Sequence, residues 1–166
     1  QYNELTGEAL ATGKALAKNY TNGKDTLYVH ADTLRLYSYN MKTDSVYRVL
    51  HGSPHVRAFR TDMQAVCDSL VYDTKRKQML LYKDPIVWSD QKQIVGEEIN
   101  AFMNDSIIDS IYVRRQALLI EKVDSTHYNQ VAGLLMRSYF DEQGQVRESN
   151  VDGNGTLIYF PLEKDS

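Results

Sequence analysis

Asp32 and Asp68 stand at equivalent places in a repeated pattern and are the first residues here whose types suggest chemistry. Two carboxylates can divide acid and base work between them. Nothing else in the sequence converges on this pair, however, and an Asp ahead of a turn commonly bonds nearby backbone N–H groups instead. His51 and His55 flank Gly52-Ser53-Pro54, but a metal site wants further ligands at a recognisable spacing, and four His with one Cys supply none. Ser53 and Ser69 lack the Gly-x-Ser-x-Gly setting of an acyl-transfer nucleophile. Cys67 takes a position that Ala31 fills in the first copy of the pattern, so it reads as a small buried apolar residue. Lys75-Arg76-Lys77 and Arg114-Arg115 could meet phosphates, although basic hairpin tips usually serve solvation and guard strand edges. The expectation is a protein without catalytic groups, metal or cofactor.

The elements that would carry these residues are repeats. A small residue, an acid, a free position and Leu form Ala31-Asp32-Thr33-Leu34, and the pattern returns about 36 residues later as Cys67-Asp68-Ser69-Leu70. Looser copies follow at Gly96-Glu97-Glu98-Ile99 and Ala132-Gly133-Leu134-Leu135. Interleaved with this series runs a second one, in which a turn-type triplet precedes two apolar residues. It comprises Gly52-Ser53-Pro54-His55-Val56 and Lys83-Asp84-Pro85-Ile86-Val87, with weaker echoes at Gln116-Ala117-Leu118-Leu119 and Gly153-Asn154-Gly155-Thr156-Leu157. Two such series mean one supersecondary unit used several times. The apolar/polar alternation around each copy makes that unit a pair of strands.

Composition sets the outer bounds. At 166 residues and 42% hydrophobic content the chain can form one domain with a sizeable core. A net charge of -3 offers no basic footprint for nucleic acid. One cysteine excludes a disulfide framework, and no apolar run approaches the ~18 residues of a membrane helix. Gln1-Tyr2-Asn3-Glu4 lacks the basic and apolar regions of a signal peptide, so an exported protein has lost its signal or this is a piece of a longer chain. The repeat register favours the piece, since the first residues enter the array in mid-unit.

Residues 4–18 contain good helix formers, yet Gly7 and Gly13 interrupt them and Gly13-Lys14-Ala15-Leu16 falls where a turn element should precede the strand at Leu27; a strand is expected. Asn22-Gly23 predicts a hairpin turn. Short strands are then expected down the chain, beginning at 26–31, 34–39, 45–50 and 55–60 and including 107–113, 117–121, 127–131, 134–140, 145–151 and 155–160. Pro54 and Pro85 sit at strand starts, where a missing N–H is harmless. The predicted fold is all-β, with repeated antiparallel strands forming an open, solenoid-like twisted jelly roll of two facing sheets. Open strand edges at both ends would recruit another strand, so head-to-tail stacking on itself or on similar domains is expected.

Leu27, Val29, Ala31, Leu34 and Leu36 alternate onto one face, as do Ala65, Cys67, Leu70 and Tyr72 on neighbouring strands. They either fill a closed core or line an apolar groove. A groove would suffice for binding, because about ten lipid methylenes at ~0.8 kcal/mol each supply roughly 8 kcal/mol before entropy costs.

Taken in order, Asp25–Leu34, Cys67–Asp73, Asp84-Pro85-Ile86-Val87-Trp88, Gln93–Ile99 and Tyr128–Gly133 resemble the OstA-like family, the organic-solvent-tolerance and lipopolysaccharide-transport group, over residues 20–160. The resemblance implies one OstA-like domain over 1–166, a V-shaped jelly roll whose groove takes the lipid A acyl chains of lipopolysaccharide, and a place in the periplasmic bridge to the outer membrane. It also implies partners at the open edges: an inner-membrane-anchored relative on one side and the outer-membrane translocon on the other. The competing expectation is a ligand-free structural β-solenoid module of an exported surface or scaffold protein.

Overall fold

The computed structural model describes residues 1–21, 25–104 and 107–161. The expected hairpin at Asn22-Gly23 lies outside them. Among the described residues fifteen strands run in chain order: β1 (Tyr2–Asn3), β2 (Glu8–Thr21), β3 (Asp25–Tyr39), β4 (Tyr47–Ser53), β5 (Val56–Arg60), β6 (Met63–Cys67), β7 (Ser69–Asp73), β8 (Gln78–Tyr82), β9 (Ile86–Ser89), β10 (Lys92–Val95), β11 (Glu98–Met103), β12 (Ile108–Lys122), β13 (Tyr128–Phe140), β14 (Val146–Asp152) and β15 (Thr156–Ile158). The fold is all-β, a single antiparallel sheet curved into a ring of 10 strands with further strands beyond it.

Two strands close the ring by serving two layers each. The first half of β3 pairs with β5 and its second half with β4. Strand β12 does the same, pairing first with β11 and then with β10. Layer A therefore holds β4, β7, β8 and β11, layer B holds β5, β6, β9 and β10, and the core lies between them. At one end β2 extends both layers alongside β3, and at the other β13 extends both alongside β12, followed by β14 in layer A and β15 in layer B. Of residues 4–18, expected as strand, 8–18 lie in β2, which runs on to Thr21, while 4–7 form a turn between β1 and β2. The segments expected as separate strands at 26–31 and 34–39, 107–113 and 117–121, and 127–131 and 134–140 are single long strands that bend from one layer into the other. A bend keeps the backbone hydrogen-bonded where a turn would break the ladder.

The two repeated series mark the corners where the chain changes layer, and each series runs in one direction. Asp32 within β3, Asp68 between β6 and β7, Glu97 between β10 and β11, and Gly133 within β13 all lie where the chain passes from layer B to layer A. Pro54-His55, Lys83-Asp84, Arg115-Gln116 and Gly153-Asn154 lie where it returns from A to B. Gly13-Lys14 makes the same return in β2. The return corners need left-handed backbone, found at Lys14, His55, Lys83, Asp84, Arg115, Gln116 and Asn154. Such a conformation in a residue with a Cβ is costly and persists only where surrounding pairing enforces it. Close packing adds a second demand at Gly96, where a Cβ would stand 2.3 Å from the Val113 side chain.

Candidate functional site

The inward face of β2 reads Ala9, Ala11, Ala15, Ala17, Asn19, set opposite Leu36, Leu34, Ala31, Val29 and Leu27 of β3. Alanine is too short to reach the facing layer, and the space left over is an apolar cavity of about 260 Å³ at the β2 end of the molecule. Its walls include Ala9, Ala11, Ala17, Leu27, Val29, Leu34, Leu36, Leu50 and Tyr72. Arg48, Thr74 and Asn19 bring the polar side chains. The Asn19 side-chain amide donates to the Tyr72 hydroxyl at 3.3 Å, a bond from layer B to layer A. Charge is thus kept to the edges of a chamber whose interior is hydrocarbon, which suits an apolar ligand with one polar end.

Of the nine residues nominated from the sequence, Leu27, Val29, Leu34, Leu36 and Tyr72 line this cavity. Ala31, Ala65 and Leu70 lie in the close-packed core, each at most 3% exposed. Cys67 is half-buried; its thiol donates to the Ser69 carbonyl at 3.2 Å, and burial pushes it up to about 12. Sequence reasoning missed the alanines of β2 together with Arg48, Leu50 and Thr74. The alternating alanines at 9, 11, 15 and 17 were the available signal, with the step across Gly13-Lys14 concealing their common face.

The candidate chemical groups are engaged locally. Asp32 Oδ2 lies 2.8 Å from His55 Nδ1, Asp68 3.6 Å from Lys83, and Glu97 3.3 Å from Arg115. At three successive steps, then, the acid of one repeat series meets a base of the other along the corner edge. The hydrogen bond from the Ser69 hydroxyl, with help from Lys83, holds Asp68 below the usual carboxylate range. Exposed pairs of this kind contribute little to stability. Lys75 lies over the Tyr47 ring at 5.0 Å, Arg76 is 4.0 Å from Asp73, and Arg114 lies over Tyr112 at 5.5 Å. Among the described residues no group of three or more His, Cys, Asp or Glu could hold a metal ion.

The edge opposite the corners is tied by Arg60, which is 4% exposed. Its guanidinium pairs with Asp62 and donates to the Asn104 carbonyl at 2.9 Å, joining a layer B hairpin to the end of β11. Nearby, Lys92 is 2% exposed with its Nζ 3.7 Å from Glu121 and 4.0 Å from Asp90. No family model matches the chain, and no curated protein matches it.

Proposed function

We propose that the protein binds lipid acyl chains in the β2-end cavity without catalysing any reaction, as one unit of a β-jelly-roll bridge that carries lipopolysaccharide across the periplasm to the outer membrane. The observation that carries this reading is the hydrocarbon-lined cavity of about 260 Å³ between two layers that are open at the same end. Methylenes entering it would each contribute ~0.8 kcal/mol, so affinity needs no charged contact. The resemblance to the OstA-like family supplies the choice of lipid.

The ends of the array support a bridge. Along Ala15–Thr21 strand β2 pairs with β3 on one side, and among the described residues nothing pairs on its other side. Among the described residues, strands β14 and β15 pair with β13 alone. Leu5, Tyr20, Leu157 and Tyr159 are each more than 60% exposed at these ends. A related jelly-roll domain, whether an inner-membrane-anchored one, the translocon's or a second copy, would add its strand there and cover them.

Photo-crosslinking tests the reading. A benzophenone side chain at Leu36 or Asn19 should form an adduct with purified lipopolysaccharide, and one at Arg35, which faces outward, should not. Absence of an adduct at both cavity positions in folded protein would reject lipid carriage and leave the ligand-free structural module.

A further inference from the structure

We propose that the outer face of layer B docks on an anionic lipid bilayer. The strand register makes two continuous rows of side chains across this face. One runs Lys18, Tyr28, Phe59, Gln64, Trp88, Gln93, Ile120, Gln130, Ile158. The other runs Leu16, His30, Arg57, Val66, Ile86, Val95, Leu118, Ala132, Thr156. Neither contains an Asp or a Glu, although the chain has 22 of them. Layer B carries its acids at its margins: Asp62, Asp90 and Asp124 in turns, Asp25 at the start of β3, Asp32, Asp68, Asp84 and Glu97 along the corner edge beside the second row, where His55, Lys83 and Arg115 pair with three of them, and Glu121 facing inward beside Lys92.

The outer face of layer A is built by the same pairing rules and is different. Its rows include Glu8, Asp73, Glu98, Glu148 and Asp152 beside Arg35, Arg114 and Arg137. The contrast is therefore one of residue choice, since the backbone is alike on both sides.

Three properties of the layer B face fit a membrane surface. Phe59 is 45%, Trp88 37% and Ile158 44% exposed, so one row presents large apolar side chains to solvent between the glutamines Gln64, Gln93 and Gln130. Nine strands at ~4.8 Å spacing make it about 40 Å wide. Tyr28 and Trp88 are amphipathic rings of the kind that settle at the headgroup level. The exposed cations Lys18, Arg57 and Lys122, with no carboxylate between them, complement an anionic surface; each adds about fivefold to partitioning at low salt. The proposal does not depend on the cavity, which lies between the layers.

Trp88 is the only tryptophan, so its emission reports on this face alone. The 166-residue chain is mixed with vesicles of phosphatidylcholine, with or without one third phosphatidylglycerol. Partitioning to the anionic vesicles alone is expected, with a blue shift of Trp88, quenching by brominated acyl chains and loss at high salt. Arg57→Glu with Lys122→Glu should lower partitioning at least tenfold. Arg35→Glu with Arg137→Glu, on layer A, should change it less than twofold, both pairs keeping the β-sheet circular dichroism of the parent. Ala17→Leu, which fills the cavity, should leave docking intact; if it removes docking, the vesicles are feeding the cavity and the proposal is wrong. It is equally overturned by no partitioning, by equal partitioning to neutral vesicles, or by a loss confined to the layer A variant. A Trp88 shift that grows with protein concentration without vesicles would assign the face to a second copy and reject the bilayer.

Discussion

Strands β3 and β12 are built alike, at 15 residues each, and both cross from one layer to the other, yet the interior beside β3 opens into an apolar cavity, whereas beside the middle of β12 it is packed and the space of about 210 Å³ at that end lies out among the turns near Ile108 and Phe140. Their outer neighbours make the difference. Strand β2 presents Ala9, Ala11, Ala15 and Ala17 inward, while β13 presents Val131, Met136 and Phe140. Bulges sit at matching places, between Thr12 and Ala15 in one pair and between Arg114 and Ala117 in the other. The same backbone device therefore yields a chamber or a core according to side-chain volume. A repeat protein can in this way place a ligand site at one end without altering its topology.

Substitutions that exchange volume between the two regions should give the largest effect. Ile111→Ala removes a fully buried side chain beside β13 and should cost roughly 3 kcal/mol, because close-packed surroundings relax little around a new cavity. Ala17→Leu at the hollow end adds apolar volume where space exists, and should be neutral or stabilising by about 1 kcal/mol. Urea unfolding followed through Trp88 measures both, and equal losses from the two changes would dissolve the distinction. Corner glycines come next. Gly96→Ala drives a Cβ against Val113, itself 0% exposed, and should cost about 2 kcal/mol. Gly13→Ala meets open space and bears only the cost of a φ of 75° in β2, about 1 kcal/mol.

The smallest effect is one of pH. In the folded state the Cys67 thiol keeps its proton up to about 12, against 9.0 when unfolded, because it is buried. Between those values the unfolded chain binds fewer protons than the folded one, so stability is complete below about pH 9 and falls as pH rises through the window. Cys67→Ala should flatten that alkaline slope in urea midpoints. At pH 8 Cys67 should react with a thiol reagent far more slowly than a cysteine placed at Ala17 in the cavity wall.

The order of the corners was legible because their chemistry is local. A small-acid-x-Leu run or a Pro-containing triplet states where a strand must end or bend, and Asp32, Asp68, Pro54 and Pro85 occupy such places. Half of the groove was legible too, since alternation alone puts Leu27, Val29, Leu34 and Leu36 on one face. It could not separate Leu27 from Leu70. Both point inward, but Leu27 faces the alanine strand, whereas Leu70 is 1% exposed in the packed middle of layer A.

The sequence by itself determined the strand content, the repeat and the inward face, because alternation and turn chemistry act over a few residues. Only the tertiary structure decided which inward residues meet empty space. That depends on the combined volume of side chains from β2, β3, β4 and β7, brought together across more than 60 residues of chain. The two carboxylate-free rows of layer B are likewise assembled from nine strands, each contributing one residue to each row, and no single segment of the sequence displays them.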